Sequence, residues 1–513
     1  MIGPTFRECA VQDELNLSMF RAYDIRTPSA LLTPDLAARL ARAEAVYFRD
    51  VLQAPGVVLA HDARSTGPKF LSIAAEVFRQ AGLEVVYLPG VTSTSAFYYA
   101  AMCHPTLAAV MVGASHNPAG DTGQKVLGPG VAPIARAIGP EGGLDRIQEL
   151  YTAGQSGPTT RRGRISACEL IDDYIGYSME LAGVDTGGLR GVKLFHDYLF
   201  GAAGREMMLA FTRAGADLTP LHFAADGAFP LGDPNPVKQA VIREGIETLR
   251  SGDFLLGMFF DGDGDRIDVY RGDTSYLSSS FVYAAILPEI RRRFHGPQPG
   301  VFADLKCNPL AIIEMAHSGV TVDVIRNGHS QIKQSLIDDP ARLGAVEESA
   351  HFYEAFEPPT GGRFCTENTL YIALLVARVW SQDPARFQRL FEIQQSTARE
   401  REWGYKFSTD AQRAEALKAV RQQFEARGAR SLERMKNGMD LEATLMRRGL
   451  PFDVDQNTVL GSDWLQLCQR VSQSENGLAR WEVVGATPDL VRQAKQEVAA
   501  CVASFGAGEE YQG

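Results

Sequence analysis

Leu107-Ala-Ala-Val-Met-Val-Gly-Ala-Ser-His-Asn-Pro118 is an unbroken apolar run that ends in a polar turn. The six residues Leu107 to Val112, closed by glycine and then proline, read as a buried strand followed by a loop. Open α/β sheets present their reactive groups on such loops, just past the strand ends. Neighbouring strand residues face opposite ways, so Ser115 and His116 read alone are equally well explained as a capped loop. A second stretch repeats the arrangement and shifts that balance: Phe254-Leu-Leu-Gly-Met-Phe-Phe260 runs directly into Asp261-Gly-Asp-Gly-Asp-Arg266.

Outward from Val112 the pattern alternates. A helical pattern from about Pro34 to Leu52 is followed by strand 56–60, helix 68–81, strand 84–88 and helix 93–102. This alternation predicts a mostly parallel sheet covered by helices. Residues 128–143, rich in glycine and proline, read as a loop, and 154–163 as a linker. A second series has strand 193–196, helices 202–215 and 236–250, and the strand before the aspartates. A third has helix 281–294, strands 300–304, 320–325 and 343–347, and helix 367–380. From about Gln394 the pattern changes to a charged helix near 411–426, two alternating runs at 465–471 and 479–484, and a last helix with Pro488 at its first position. Residues 506–513 read as a frayed tail. The fold class is α/β: three similar mixed or parallel α/β domains, 1–160, 161–276 and 277–393, plus a smaller C-terminal α+β domain, 394–513. Each of the three carries a polar loop after a strand, which points to one shared cleft.

Size and charge set limits on function. A chain of 513 residues is too long for one core and divides into units of ~100–150 residues. A net charge of −11 argues against binding the nucleic-acid backbone, so any anionic substrate needs locally concentrated cations. Seven scattered cysteines, without a Cys-x-x-Cys pair, suit neither a disulfide framework nor a zinc site; they read as reduced residues of a cytoplasmic protein. No basic-then-apolar leader or run of ~18 apolar residues is present, so no membrane association is expected.

The aspartate loop carries the most specific chemistry. Carboxylates at 261, 263 and 265, separated by glycines, can turn three oxygens to one point, as magnesium prefers when substrate phosphate completes its shell. An EF-hand is excluded, because its sixth position is Arg266 and its twelfth is Gly272. Arg266 is placed to hold a phosphate or to orient the acids. Asn117 breaks the Gly-x-Ser-x-Gly elbow, and no nucleotide-binding glycine motif appears.

Six motifs, Phe20-Arg-Ala-Tyr-Asp-Ile-Arg26, Ala114-Ser-His-Asn-Pro118, Asp261-Gly-Asp-Gly-Asp-Arg266, Gly328-His-Ser330, Glu347-Glu-Ser349 with His351, and Arg470-Val-Ser-Gln-Ser474, follow one order. In that order the chain resembles the α-D-phosphohexomutases, most closely the bacterial phosphomannomutase/phosphoglucomutase branch, from about Phe20 to Val498. The resemblance implies a hexose 1-phosphate to 6-phosphate interconversion on mannose or glucose, through a phosphoserine at Ser115 and a hexose 1,6-bisphosphate. It implies that magnesium is held by Asp261, Asp263, Asp265 and Ser115, and that glucose or mannose 1,6-bisphosphate serves as activator. Catalytic positions carried over are Ser115, His116, Lys125, Arg26 and His329. Substrate-binding positions are Tyr23, Arg266, Lys306, Glu347, Ser349, His351, Arg470, Ser472 and Ser474.

Small hexose phosphates are the partners implied, with no nucleic acid and no membrane, and a monomer or homodimer as the state. Departures from the family pattern lie at Thr122, Gln124, Val346, Glu348, Ala350, Val471, Gln473 and Asn476. Alternatives compatible with them are a phosphoglucosamine mutase, whose family commonly has glutamine at the position of Glu348, and a non-catalytic sugar-phosphate-binding relative.

Overall fold

The structure, a computed structural model, describes residues 14–154, 161–294, 296–358, 361–472 and 477–512. Four sheets carry the described residues. The first orders Ile25–Pro28, Asp121–Gly128, Ala108–Val112, Gly56–His61, Glu84–Val91 and Ile165–Ala167, with Ala132–Ile134 added to Asp121–Gly128. Ala108–Val112 is buried along its whole length because it pairs parallel to Gly56–His61 and antiparallel to Asp121–Gly128. That position explains its uniformly apolar sequence.

The second sheet orders Tyr276–Leu277, Ile267–Arg271, Leu256–Phe260, Lys193–Asp197 and Asp217–Leu221. The third orders Thr321–Ile325, Gly300–Asp304, Arg342–Glu347, His351–Phe356 and Phe364–Glu367. Both place a central strand directly before a polar loop: Leu256–Phe260, buried throughout, before Asp261, and Arg342–Glu347, buried from Leu343 onward, before Glu348.

One apolar cluster runs through the first three sheets, including Phe97, Met258 and Leu374. The fourth sheet is antiparallel and runs Arg430–Arg434, Asp440–Arg448, Leu465–Val471, Leu478–Gly485, Ala398–Lys406 and Glu510–Gln512. It has its own core around Trp403, Trp481 and Val498, and shares another with the third sheet, where Phe302 and Ile325 meet Leu441 and Leu445.

Several local expectations change. The first helix ends at Val46 and passes into a π-turn over Tyr47–Val51. The segment read as a loop at 128–143 contains the strand Ala132–Ile134. The tail read as frayed forms Glu510–Gln512, which pairs with Trp403 to Tyr405 and gives that edge of the sheet its last partner. Ala398–Lys406, Arg430–Arg434 and Asp440–Arg448 had no apolar alternation to reveal them. Their charged side chains are held in ion pairs such as Arg399 with Glu482 and Arg421 with Glu433. Among the described residues no helix is long and apolar enough to cross a membrane.

Glu44, in the helix Pro34–Val46, is fully buried and neither carboxyl oxygen has a hydrogen-bond partner. Burial pushes its pKa well up. Glu44→Met is expected to raise the unfolding free energy by ~1–3 kcal/mol, read from the denaturant midpoint. The gain should grow as pH rises through the ordinary carboxyl range, where the unfolded chain ionises and the buried group does not. Equal or lower stability at neutral pH would contradict this.

Candidate active site

Ser115 stands three residues beyond Val112 with φ of 50°, a left-handed conformation that costs a non-glycine residue ~1 kcal/mol or more. The loop is kept in that shape from below. Arg64, buried just past Gly56–His61, donates to the carbonyls of Ser115 at 2.8 Å, Asn117 at 2.6 Å and Asp121 at 3.0 Å, and also to Pro118. Asp62 pairs with Arg64 at 3.2 Å and accepts the Ala114 N–H at 3.0 Å. Arg26, paired with Asp24 at 2.7 Å, donates to Asn117 Oδ1 at 2.9 Å and to the Ala114 carbonyl.

The Ser115 hydroxyl donates to Asp261 Oδ2 at 2.9 Å and lies 3.3 Å from His116 Nδ1. Gly262 makes this approach feasible, because a Cβ there would lie 2.6 Å from the Ser115 carbonyl oxygen and 2.7 Å from Pro234 Cγ. The Asp261, Asp263 and Asp265 oxygens lie within 4.8 Å of one another, all buried. Asp261 Oδ1 accepts the N–H groups of Asp265 and Arg266 at 3.1 and 3.2 Å. Lys125 Nζ reaches Asp263 Oδ2 at 2.7 Å and Asp265 Oδ2 at 2.5 Å, and Thr94 donates to Asp263 at 2.6 Å.

Asp263 Oδ1 and Asp265 Oδ1 remain buried without a donor, which suits a hard divalent cation. Burial and the two neighbouring carboxylates push the Asp261 pKa well up, whereas Lys125 outweighs burial to hold that of Asp263 well down. Burial works against the Lys125 charge, but Asp263 and Asp265 prevail and hold its pKa well above the usual lysine value. In this state Lys125 is a fixed cation.

The third sheet supplies Glu347 and the residues around it. Glu347 Oε1 accepts the Gly328 N–H at 3.1 Å and Asn327 Nδ2 at 3.2 Å, and Oε2 accepts the Tyr353 hydroxyl at 2.5 Å. Glu347 is thereby tied to the loop of His329, which packs edge-on to Tyr23 with ring centroids 6.1 Å apart. Burial raises the Tyr23 pKa to about 12, with Glu442 and Glu347 adding to it and Arg470 and Arg326 opposing. Burial, reinforced by nearby cations, lowers the pKa values of His116 and His329 well below the ordinary histidine value, so both rings are neutral instead of poised near neutrality. Ser349 is half-buried, and Arg266 Nε donates to His351 Nε2 at 3.1 Å.

The departures at this loop are absorbed by packing. Val346 is fully buried, and Ala350 takes φ of 73°, where glycine is usual. The Glu348 carboxylate pairs with Arg399 at 3.0 Å and accepts the Ser280 hydroxyl; it is turned to the fourth sheet.

Arg470 lies in Leu465–Val471 and is paired with Glu402 at 2.6 Å. Lys306 Nζ is 3.7 Å from Asp304 Oδ2 and within the field of both Glu402 and Arg470. The Ser472 N–H donates to the Leu478 carbonyl at 2.9 Å. Ser474, Gln473 and Asn476 lie outside the described residues. The structure therefore brings Ser115, His116, Arg26, Lys125 and the three aspartates into one cluster, with Arg266 and His351 adjoining. Glu347, His329 and Tyr23 form a second group, and Arg470 and Lys306 a third. The sequence reading missed Arg64, Asp62 and Thr94. The available signal for the first two was a charged Asp-x-Arg directly after the apolar strand Gly56–His61.

Residues 17–141 match the family described as phosphoglucomutase/phosphomannomutase, alpha/beta/alpha domain I, and residues 172–273 match its domain II. A phosphomannomutase of Salmonella montevideo is 29% identical over 357 residues, covering 66% of this chain and 74% of that protein. A crystal structure of a phosphoglucomutase/phosphomannomutase family protein from Burkholderia thailandensis superposes with a TM-score of 0.77 at 22% identity, covering 96% of this chain and 99% of that one. An Aspergillus fumigatus N-acetylphosphoglucosamine mutase, solved with GlcNAc-6P and magnesium, has a TM-score of 0.54 at 12% identity and covers 95% of this chain and 96% of that one.

Arg64→Met removes four donors from the serine loop. Mutase turnover is expected to fall by ~10–100-fold with the protein still folded, as for loss of a group that orients a reactive one. Turnover within about twofold of wild type would contradict the anchoring role.

Proposed function

We propose, on the premise that this chain belongs to the α-D-phosphohexomutase superfamily, that it interconverts hexose 1-phosphate and hexose 6-phosphate, with mannose or glucose as the sugar. The observation that carries the mechanism is the Ser115 hydroxyl, 2.9 Å from Asp261 within a buried three-carboxylate cluster. Ser115 carries the phosphoryl group and passes it to the free hydroxyl of a bound hexose phosphate, giving a hexose 1,6-bisphosphate. The bisphosphate turns over in the cleft and returns its other phosphoryl group to Ser115. Glucose 1,6-bisphosphate or mannose 1,6-bisphosphate primes the serine.

Magnesium held by Asp261, Asp263, Asp265 and Ser115 would offset charge on the transferring oxygens. Lys125 and Arg266 bring fixed positive charge to the same oxygens, and Arg26 holds the serine loop in place. His329, whose pKa burial and the nearby lysines hold well down, becomes suited to take a proton from the receiving sugar hydroxyl once the charge of a bound phosphate offsets those cations. Glu347 and Ser349 hold sugar hydroxyls. Arg470, Ser472, Ser474 and Lys306 hold the phosphate that is not reacting, which replaces Glu402 as the partner of Arg470. Glu348 faces Arg399, away from the sugar hydroxyls, so its difference from the phosphomannomutase/phosphoglucomutase pattern does not favour an amino-sugar substrate.

The test is a mutase assay with magnesium and catalytic glucose 1,6-bisphosphate, offering mannose, glucose and glucosamine 1-phosphates in parallel. Formation of the 6-phosphate from the first two is expected, with chelation abolishing it. Ser115→Ala should lower it by ~1000-fold or more. Hexose-phosphate binding without turnover would instead support a non-catalytic relative.

A further inference from the structure

Glu367 closes the strand Phe364–Glu367, is buried, and belongs to none of the motifs quoted above. Its neighbour in space is His351, whose Nδ1 lies 2.7 Å from Glu367 Oε1. The strand pairing explains the contact. Glu367 is in register with Tyr353, and Tyr353 and His351 project from the same face of their strand two residues apart. On the other side of the imidazole, Arg266 Nε donates to Nε2 at 3.1 Å.

An arginine Nε always carries its hydrogen, so His351 Nε2 must accept. The ring proton is then on Nδ1, where it is donated to Glu367. Only one tautomer satisfies both bonds. The Arg266 N–H aimed at Nε2 stands against a second proton on the ring.

The chain of contacts continues inward. Glu367 Oε2 is 2.9 Å from Lys333 Nζ, which is itself buried. Lys333 donates to the Tyr98 hydroxyl at 2.5 Å and lies 4.0 Å from the centre of that ring. A continuous buried path thus runs from Tyr98 through Lys333, Glu367 and His351 to the Arg266 guanidinium. That guanidinium is 3.7 Å from Asp261 through Nε, and its Nη atoms have no hydrogen-bond partner among the described residues.

The ligand atoms of Asp265, His351 and Glu367 also lie within 4.8 Å of one another. Each already has a cationic partner: Lys125 on Asp265, Arg266 on His351 and Lys333 on Glu367. The cluster is therefore a hydrogen-bonded relay, not a second metal centre.

We propose that Glu367 is a positioning residue, which fixes the His351 tautomer and through it the direction in which Arg266 presents its guanidinium to the phosphoryl group. This rests on the phosphohexomutase reading of the cleft. Lys333 neutralises the buried carboxylate, so the relay operates without stranding a charge.

The full-length protein, labelled with 15N-histidine, provides the test. Long-range proton–nitrogen correlation, with His351→Gln to assign the ring, should show His351 protonated at Nδ1 and unprotonated at Nε2. The pair Glu367→Leu and Lys333→Met, which removes the carboxylate without leaving a buried ammonium, should abolish that single form. In kinetics, Glu367→Gln is expected to lower kcat/KM by ~10–100-fold. Combined with Arg266→Lys, it should cost less than the product of the two separate losses. A wild-type His351 protonated at Nε2, or at both nitrogens, would overturn the proposal, as would losses that multiply independently. The ring signals do not require turnover, so failure of the relay and failure of the mutase reading would be separate results.

Discussion

Three carboxylates brought within 4.8 Å of each other in a buried loop repel by ~3–4 kcal/mol per ionised pair at an effective dielectric of about 20. A fold keeps such a cluster only if cations and donors surround it. Here Lys125 contacts two of the three, Thr94 and two backbone N–H groups supply donors, and the Arg26 charge acts on Asp263 and Asp265. Two oxygens remain unmatched, and a divalent cation would complete the balance. With that cation bound, its charge together with Lys125 and Arg26 would offset the carboxylates and the added charge of a phosphoserine at Ser115.

The sheets give this cluster its geometry. The first two bring the Ser115 and Asp261 loops face to face, with Gly262 permitting backbone contact between them. The third brings Glu347 and the His329 loop beside Tyr23, and an apolar cluster shared with the fourth sheet fixes where Arg470 stands. Two of the changes from the usual family residues fall in this support. Val346 packs in the sheet, and Glu348 forms an ion pair with Arg399 that ties its loop to the fourth sheet.

The loops after Val112 and Phe260 were legible in the sequence because a strand buried on both faces is an apolar run and its end is marked by a sudden change to polar residues. The i, i+2, i+4 aspartates were legible because spacing alone specifies their convergence. Arg64 and Glu367 were not, since each acts only through tertiary contacts and belongs to no periodic pattern. The strand Ala398–Lys406 was hidden for a related reason: its alternating arginines and glutamates find their partners on other strands. The final strand Glu510–Gln512 was hidden because only the neighbouring edge at Trp403 to Tyr405 gives that short polar tail a structure.

Peptide mass spectrometry of the full chain after exposure to magnesium and glucose 1,6-bisphosphate addresses the central claim most directly. The account predicts a phosphoryl group on Ser115 that is discharged by added glucose 6-phosphate with formation of the bisphosphate. A chain that stays unmodified, carries the group on another residue, or releases it only as inorganic phosphate would contradict the account.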